Sequence, residues 1–432
     1  MVRSMARMRV RLKLPRLPDL GAAFGWLLLS DALTTLAMMV GQVALPWWIA
    51  TAGGAHALAA YSVIVAGVTL LAMPLMAPLG DRHPKRWLLG VALVAFAVAA
   101  LGFAVLASLH RYHLPTLIAL GAVTAFATAV QRPCAASFCT ELVPPAGYAR
   151  AMGLQQSAQA LGRMVGPAIG GAVLGVAGIA AALWLHLAML VGAAASTRAL
   201  PTGAPPGTAR RAWRDDLLTG VRLNFSIPLE RGWLLVNFVS WIFLGPTFAM
   251  LVPLKVQSLG LSGTWLGLAE AGLSLGMLAG SLGGAEAMVT RFGRFNVRVG
   301  AAVVQGLAIA LAGATHSGPW LVAGFAVAGL MNAAMVMVGM GHRMLARPLA
   351  FRARMVAGAI TTTHVAAMIG PALAGVALLH ASIATVFVTF GVVGAAAALG
   401  LAAVPGFKAF MALDHEAVDG FYQRTWPEAF RE

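Results

Sequence analysis

The sequence predicts an all-α polytopic membrane protein, with twelve transmembrane helices in two six-helix, pseudo-symmetric halves. Three observations predict it. Of 432 residues, 60% are hydrophobic and only 10% charged, whereas a water-soluble domain carries roughly 25% charged residues. Such a chain cannot cover itself with a solvated surface. Apolar runs of roughly 20 residues, each long enough for ~30 Å of hydrocarbon, recur along nearly its whole length. The second half of the chain also echoes the first.

In order, the predicted spans are 21–50, 57–79, 87–109, 115–137, 151–177, 179–199, 233–256, 264–289, 297–315, 319–342, 354–379 and 383–404. The first is too long for a signal peptide, contains Asp31 and ends in Pro46-Trp47-Trp48 rather than a small-residue cleavage site. Those tryptophans suit an aromatic belt at the interface, or the floor of an aromatic site. Basic residues set the orientation. Six crowd the first 16 positions, and Arg82/Lys85/Arg86, Arg210/Arg211/Arg214, Arg291/Arg294/Arg298 and Arg343/Arg347/Arg352/Arg354 fill alternate loops. The other loops hold only Arg111 and Lys255. The positive-inside rule then places both termini in the cytoplasm. The net charge of +16 is spread over these loops, which argues against nucleic-acid binding. Cys134 and Cys139 read as small buried apolar residues.

The repeat is local and legible. GPAIGG at 166–171 returns as GPALAG at 370–375, 204 residues later. The loop GDRHPKR at 80–86 is echoed weakly by TRFGRFNVR at 290–298, offset by 209. The expected organisation is a basic tail (1–20), a first bundle (21–199), a linker (200–232), a second bundle (233–404) and a tail (405–432). The linker starts Pro/Gly-rich and then sets Leu217, Leu218, Val221 and Leu223 against Asp215, Asp216 and Arg222, an amphipathic helix for the inner surface. In GRMVGPAIGG (162–171), Gly162, Gly166, Gly170 and Gly171 make a face on which another helix can close. Pro167 removes one backbone hydrogen bond. Gly370 and Pro371 are the second copy. The element serves either as a rocking seam between halves or as close packing alone.

QVALPWW (42–48), LGDRHPKRWLL (79–89), QRPCAASFCTELVPP (131–145), GRMVGPAIGG and LGLAEAGLSLGMLAGS (266–281) together resemble the major facilitator superfamily over residues 20–405. Within it the chain is similar to the drug:proton antiporters, above all the branch holding bacterial siderophore exporters such as those for enterobactin and alcaligin. The family's loop signature usually has glycine where Ala77 and Pro84 stand, and Thr290 replaces the acid in the second copy. The resemblance implies a midplane cavity reached from one side at a time, in a bacterial inner membrane, and export of a small molecule against protons. A siderophore leads; multidrug or macrolide efflux and lysophospholipid transport are the alternatives.

Ionisable groups at membrane depth are functional hypotheses by default. Asp31 lies about ten residues into the first span, ~15 Å along a helix, and is either the proton-coupling or substrate-sensing acid or half of a structural ion pair. Arg132 on the fourth span is its expected partner, in the role the resemblance gives to an arginine there; the alternative is a structural arginine snorkelling to the inner headgroups. Arg163 either reaches the same cavity or belongs to the seam. Glu270 on the eighth span is a second coupling candidate, while Glu286 reads as structural. His364 and His186 are weaker proton carriers. Asp81, Arg82, Arg86 and Glu141 either form an inner latch, with Asp81 reaching the helix that carries Arg352 and Arg354, or serve topology alone. Asn237, Ser240, Trp241 and Asn332 fall on helices that line the cavity in the family and are candidates for substrate contacts. No HExxH, no GxSxG at a strand–helix turn and no GxxxxGK[ST] occurs, so neither an enzyme nor ATP-driven export is expected. No cofactor or metal is expected either. The partners are a small-molecule substrate, protons and lipid, around a monomer.

Overall fold

The structure, a computed structural model, describes residues 20–144, 147–202 and 213–431. The basic tail up to residue 19, Arg210 and Arg211 lie outside them, and for Asp81, Arg82 and Arg214 the backbone alone is described. All regular structure among the described residues is helical. The first element, α1 (Ala22–Arg82), has 61 residues; straight, it would run ~90 Å, about three bilayer cores. It breaks at Gly54, whose φ of 73° and ψ of −172° suit glycine and strain any other residue. The two limbs fold back on each other, because Asp31 and Gln42 from the first line the same cavity as Tyr61 and Thr69 from the second.

After α2 (Lys85–Ser108) and α3 (Leu114–Leu142), α4 (Tyr148–Ser196) repeats the device at Gly178, with φ 84° and ψ −179°. Both breaks fall in the gaps between predicted spans. The linker helix α5 (Trp213–Ser226) precedes α6 (Pro228–Pro246), which runs through a π-helical turn into α7 (Val252–Ser258). Likewise α8 (Gly263–Ala279) runs through Gly280–Gly284 into α9 (Ala285–Phe292). Then come α10 (Arg294–Ala314), α11 (Gly318–Ala346), α12 (Leu349–His380) and α13 (Ile383–Ala403). Among the described residues, ten stretches are long and apolar enough to cross a membrane. Splitting two of them at Gly54 and Gly178 gives twelve crossing limbs.

The glycines show the two-fold relation between the halves. On α4, a Cβ at Gly166 would press on Met39 and the Leu36 carbonyl of α1; on α12, one at Gly370 would press on the Ile242 carbonyl and Pro246 of α6. Gly171 meets Gly267 of α8, and its counterpart Gly375 meets Ala59 on the second limb of α1. Each Gly-Pro helix therefore packs on the first span of its own half and the second span of the other.

Three expectations need correction. The linker helix does not simply lie on a surface: Gly220 abuts the Arg354 backbone and the buried Asn224 donates to the Met355 carbonyl at 2.9 Å. Lys255 is no loop residue; it sits in α7, 1% exposed. Trp48 is buried rather than part of a belt, edge-on to Tyr112 at 6.3 Å.

The segment after residue 404 is also more than a tail. It forms α14 (Phe407–Ala412), α15 (His415–Val418) and α16 (Phe421–Thr425), whose rings pack under the second half. Phe407 and Phe410 stand edge-on to Trp233 at 5.0 and 6.3 Å. Arg294 donates to the Leu413 carbonyl at 2.9 Å, and the Gly420 amide to the Leu345 carbonyl at 3.0 Å.

Candidate functional site

A cavity of about 680 Å³ opens between the halves, within the size range of small-molecule sites. Its wall is one-sided. Residues of α1 to α4 make almost all of it, and the second half adds only Ala249, Ala367 and Pro371. Toward the face that carries the breaks at Gly54 and Gly178, the halves are in contact. Gly171 meets Gly267, Gly175 meets Thr264, Gly263 meets Leu174, and Gln257 donates to the Trp47 carbonyl at 3.4 Å. In the other direction the lining reaches Met152 and Gln156, in the first turns of α4. The cavity is thus closed toward the break face and extends toward the face of the basic loops.

Asp31 is buried in the cavity wall, 5% exposed. Its expected partner was Arg132, but the structure puts two amides there instead. Gln159 Nε2 donates to Oδ2 at 2.6 Å, and Gln131 Nε2 reaches Oδ1 at 3.4 Å, a weak contact. The reason is helical phase: neighbouring residues on α3 point about 100° apart, and packing turns Gln131, not Arg132, toward α1. Both carboxylate oxygens accept from N–H groups, and both donors are neutral amides.

Arg132 and Arg163 both line the cavity, and Arg163 is within electrostatic reach of both Arg132 and Asp31. Gln155 is 3% exposed and lines it too, with Oε1 unpartnered. His186 places Nδ1 2.6 Å from the Ala37 carbonyl. A carbonyl only accepts, so Nδ1 carries the proton and Nε2 is left as the acceptor of the neutral ring. Gly41 makes room for that ring; a Cβ there would fall 3.0 Å from it.

The four substrate candidates on the second half do not reach the cavity. Asn237 accepts instead from Arg298 at 2.9 Å, Trp241 is 37% exposed, and Ser240 and Asn332 are absent from the lining. Glu270 and His364 are half-buried and also outside it. Glu270 shares its helix face with Gly267 and Ser274, opposite α4. There Pro167 has no N–H to give the Arg163 carbonyl, and Ser274 Oγ approaches that carbonyl at 3.3 Å while also within 2.9 Å of the Glu270 carbonyl.

The glycine face divides its work. Gly162, Gly166 and Gly170 meet Thr35, Met39 and Val40 of the same half, and Gly171 alone of the four meets the other half. Pro371 lines the cavity, whereas Gly370 packs on α6. The latch differs from the expected one as well. Glu141 pairs with Lys85, not with Arg86, and Arg86 donates to the Arg198 carbonyl at 2.9 Å. Both links stay within the first half, because the short loop after α1 brings Lys85 rather than Arg86 over the end of α3. The Asp81 and Arg82 side chains lie outside the described ones.

Sequence reasoning passed over Gln131, Gln155 and Gln159. The signal was present: Gln155, Gln159 and Arg163 follow at four-residue steps, one face of a helix. It also missed a second polar site. Glu230, wholly buried at the start of α6, pairs with Arg343 and Arg347 and accepts from Tyr422 Oη at 2.7 Å. Burial, and then the negative Glu230, hold the Tyr422 phenol well above its usual range, so it stays a donor.

A sequence-family model described as the Major Facilitator Superfamily matches residues 27–344. None of the curated proteins compared matches the chain. Among solved structures, a bacterial homologue of the iron transporter ferroportin in an inward-facing state superimposes with a TM-score of 0.69 at 15% identity, covering 90% of this chain and 99% of that one. The nucleoside transporter NupG gives 0.69 at 15% identity, over 91% and 100% of the two chains. A bacterial homologue of the human lysosomal transporter Spinster, inward-facing and unoccupied, gives 0.60 at 15%, over 97% and 100%. At such identities the likeness is one of fold.

Proposed function

As a member of the major facilitator superfamily, the chain is a multi-pass membrane transporter of a small molecule, and we propose that it expels that molecule from a bacterial cytoplasm in exchange for protons. The basic face is then cytoplasmic, with both termini there, and the protein works as a monomer whose halves span 21–199 and 233–404. One observation carries the coupling: a buried carboxylate in the cavity wall, Asp31, held by two neutral amides. When ionised it holds Gln159 and so fastens α1 to α4. Once protonated, it accepts more weakly from that amide and loosens the pair. The same α4 carries Gly171 to its contact with Gly267, so proton loading at Asp31 is transmitted to the closed side of the cavity. Arg132 and Arg163 tune that carboxylate and meet the substrate. Glu270, outside the lining, is the lesser coupling candidate.

The substrate reading is a siderophore, supported by resemblance of the motifs to that exporter branch. Multidrug or macrolide efflux, or lysophospholipid transport, is the second reading, favoured by the apolar part of the lining around Met38, Met39 and Phe103. The test is a deletion strain grown under iron limitation: a chelator retained in the cells supports the first reading, and normal secretion of chelator rejects it. Proton exchange is tested separately, in liposomes with an internal pH dye, by comparing the wild type with Asp31→Asn.

A further inference from the structure

The cavity wall holds more positive than negative charge, and its polar groups are unevenly satisfied. Asp31 is the one carboxylate among the lining residues, and two amides already occupy it. Arg132 and Arg163 are two guanidiniums on neighbouring helices, near enough to repel each other. Among the described residues neither makes a hydrogen bond from its side chain, although each has five N–H donors. Both are exposed to the cavity, and two like charges that line one pocket with no acceptor offer a site to an anion that joins them; the flat fork of arginine matches a carboxylate or phosphate edge.

Beside this pair the unmet need has the opposite sense. Gln155 Oε1 is buried and without a partner, two turns before Arg163 on the same face of α4. His186 has committed its Nδ1 proton to Ala37, so its remaining ring nitrogen accepts. Both groups ask for an O–H or N–H from the cavity.

We propose that Arg132 and Arg163 form an anion site and that Gln155 with His186 forms a donor-accepting site beside it, so that the transported molecule is a polar acid: a carboxylate or similar flat oxyanion at one end and hydroxyl or amide N–H groups at the other. The proposal rests on the transport reading and narrows it. A lipophilic cation, the opposite kind of cargo, is repelled by such a wall. The arrangement also constrains coupling. An anion on the arginines and a proton on Asp31 favour each other, so exchange depends on the donor end. Gln155 stands one turn from Gln159, the amide on Asp31, and a hydroxyl that reaches this carboxylate needs it ionised and competes with the proton. The charged and titratable groups around Asp31 that share in this balance are Arg132, Arg163, His186 and Cys139, with His364 near Arg132.

The test is calorimetric binding to the purified full chain in detergent, with 3-hydroxybenzoate, 3-hydroxybenzamide, benzoate and tetraphenylphosphonium as probes. The acid with the hydroxyl is expected to bind about tenfold more tightly than the amide, a difference of ~1.4 kcal/mol. Replacing both arginines by glutamine removes that advantage, and Arg132→Lys with Arg163→Lys restores part of it, which separates lost charge from lost folding. Gln155→Leu weakens 3-hydroxybenzoate but leaves benzoate unchanged. Equal binding of acid and amide, tighter binding of the cation, or no binding of either acid overturns the proposal. The transport reading is judged apart from it: proton movement driven by a cationic substrate keeps that reading and sinks this one, whereas acid binding without any proton movement does the reverse.

Discussion

Among the described residues two carboxylates are withdrawn from water, and they are held by opposite kinds of partner. Asp31, in the first half, is surrounded by the amides of Gln159 and Gln131. Glu230, in the second, is surrounded by the guanidiniums of Arg343 and Arg347 and the phenol of Tyr422. Amides satisfy lone pairs without cancelling charge. Guanidiniums do both, and a carboxylate so neutralised has little reason to leave its site or take a proton. Under the proposed mechanism, depth of burial does not separate a working acid from a structural one; the groups that hydrogen-bond to it do. Glu230 is the more deeply buried of the two, and it serves as the peg on which the segment after residue 404 docks through Tyr422.

That contrast can be broken by substitution. On stability the largest effect is expected at Glu230: changing it to glutamine leaves two arginines facing each other without an anion and should cost ~3–5 kcal/mol, read from unfolding in detergent. Next comes Gly171→Leu. A Cβ there would fall 2.7 Å from the Gly267 amide nitrogen, and overpacking of this kind costs up to ~3 kcal/mol. The strain is relieved by parting the halves, so cysteine labelling from the break face should increase and transport should stop. Tyr422→Phe removes one charge-assisted hydrogen bond, worth ~2 kcal/mol, and should make the segment after residue 404 more open to protease while transport persists. The smallest change in stability belongs to Asp31→Asn, about 1 kcal/mol or less, yet proton-driven transport should vanish. If Asp31→Asn unfolded the protein as readily as Glu230→Gln, the two acids would be doing the same job and the comparison would fail.

Parts of this were legible beforehand. Asp31 stands out because it is an acid halfway through an apolar run, and the gaps between the first and second and between the fifth and sixth spans stand out because a chain crossing a bilayer must turn somewhere. Glu230 did not. It sits in a polar segment at the end of a span, where charges read as topology signals, and its partners 113 and 117 residues away looked like loop arginines for the same reason. Asn237 and Trp241 were chosen for the helix they occupy, and helices line a cavity with one side only.

The sequence by itself determined the class, the number of crossings, the repeat and the gaps in which the long helices break, because each depends on sums of local transfer energies. The tertiary structure alone decided that Gln159, 128 residues away, rather than Arg132 holds Asp31, that Gly171 alone of its glycine face crosses to the other half, and that the cavity wall is polar on one side. These depend on the rotation of each helix about its own axis. A shift of one residue turns a side chain by about 100°, and packing against distant segments fixes that angle.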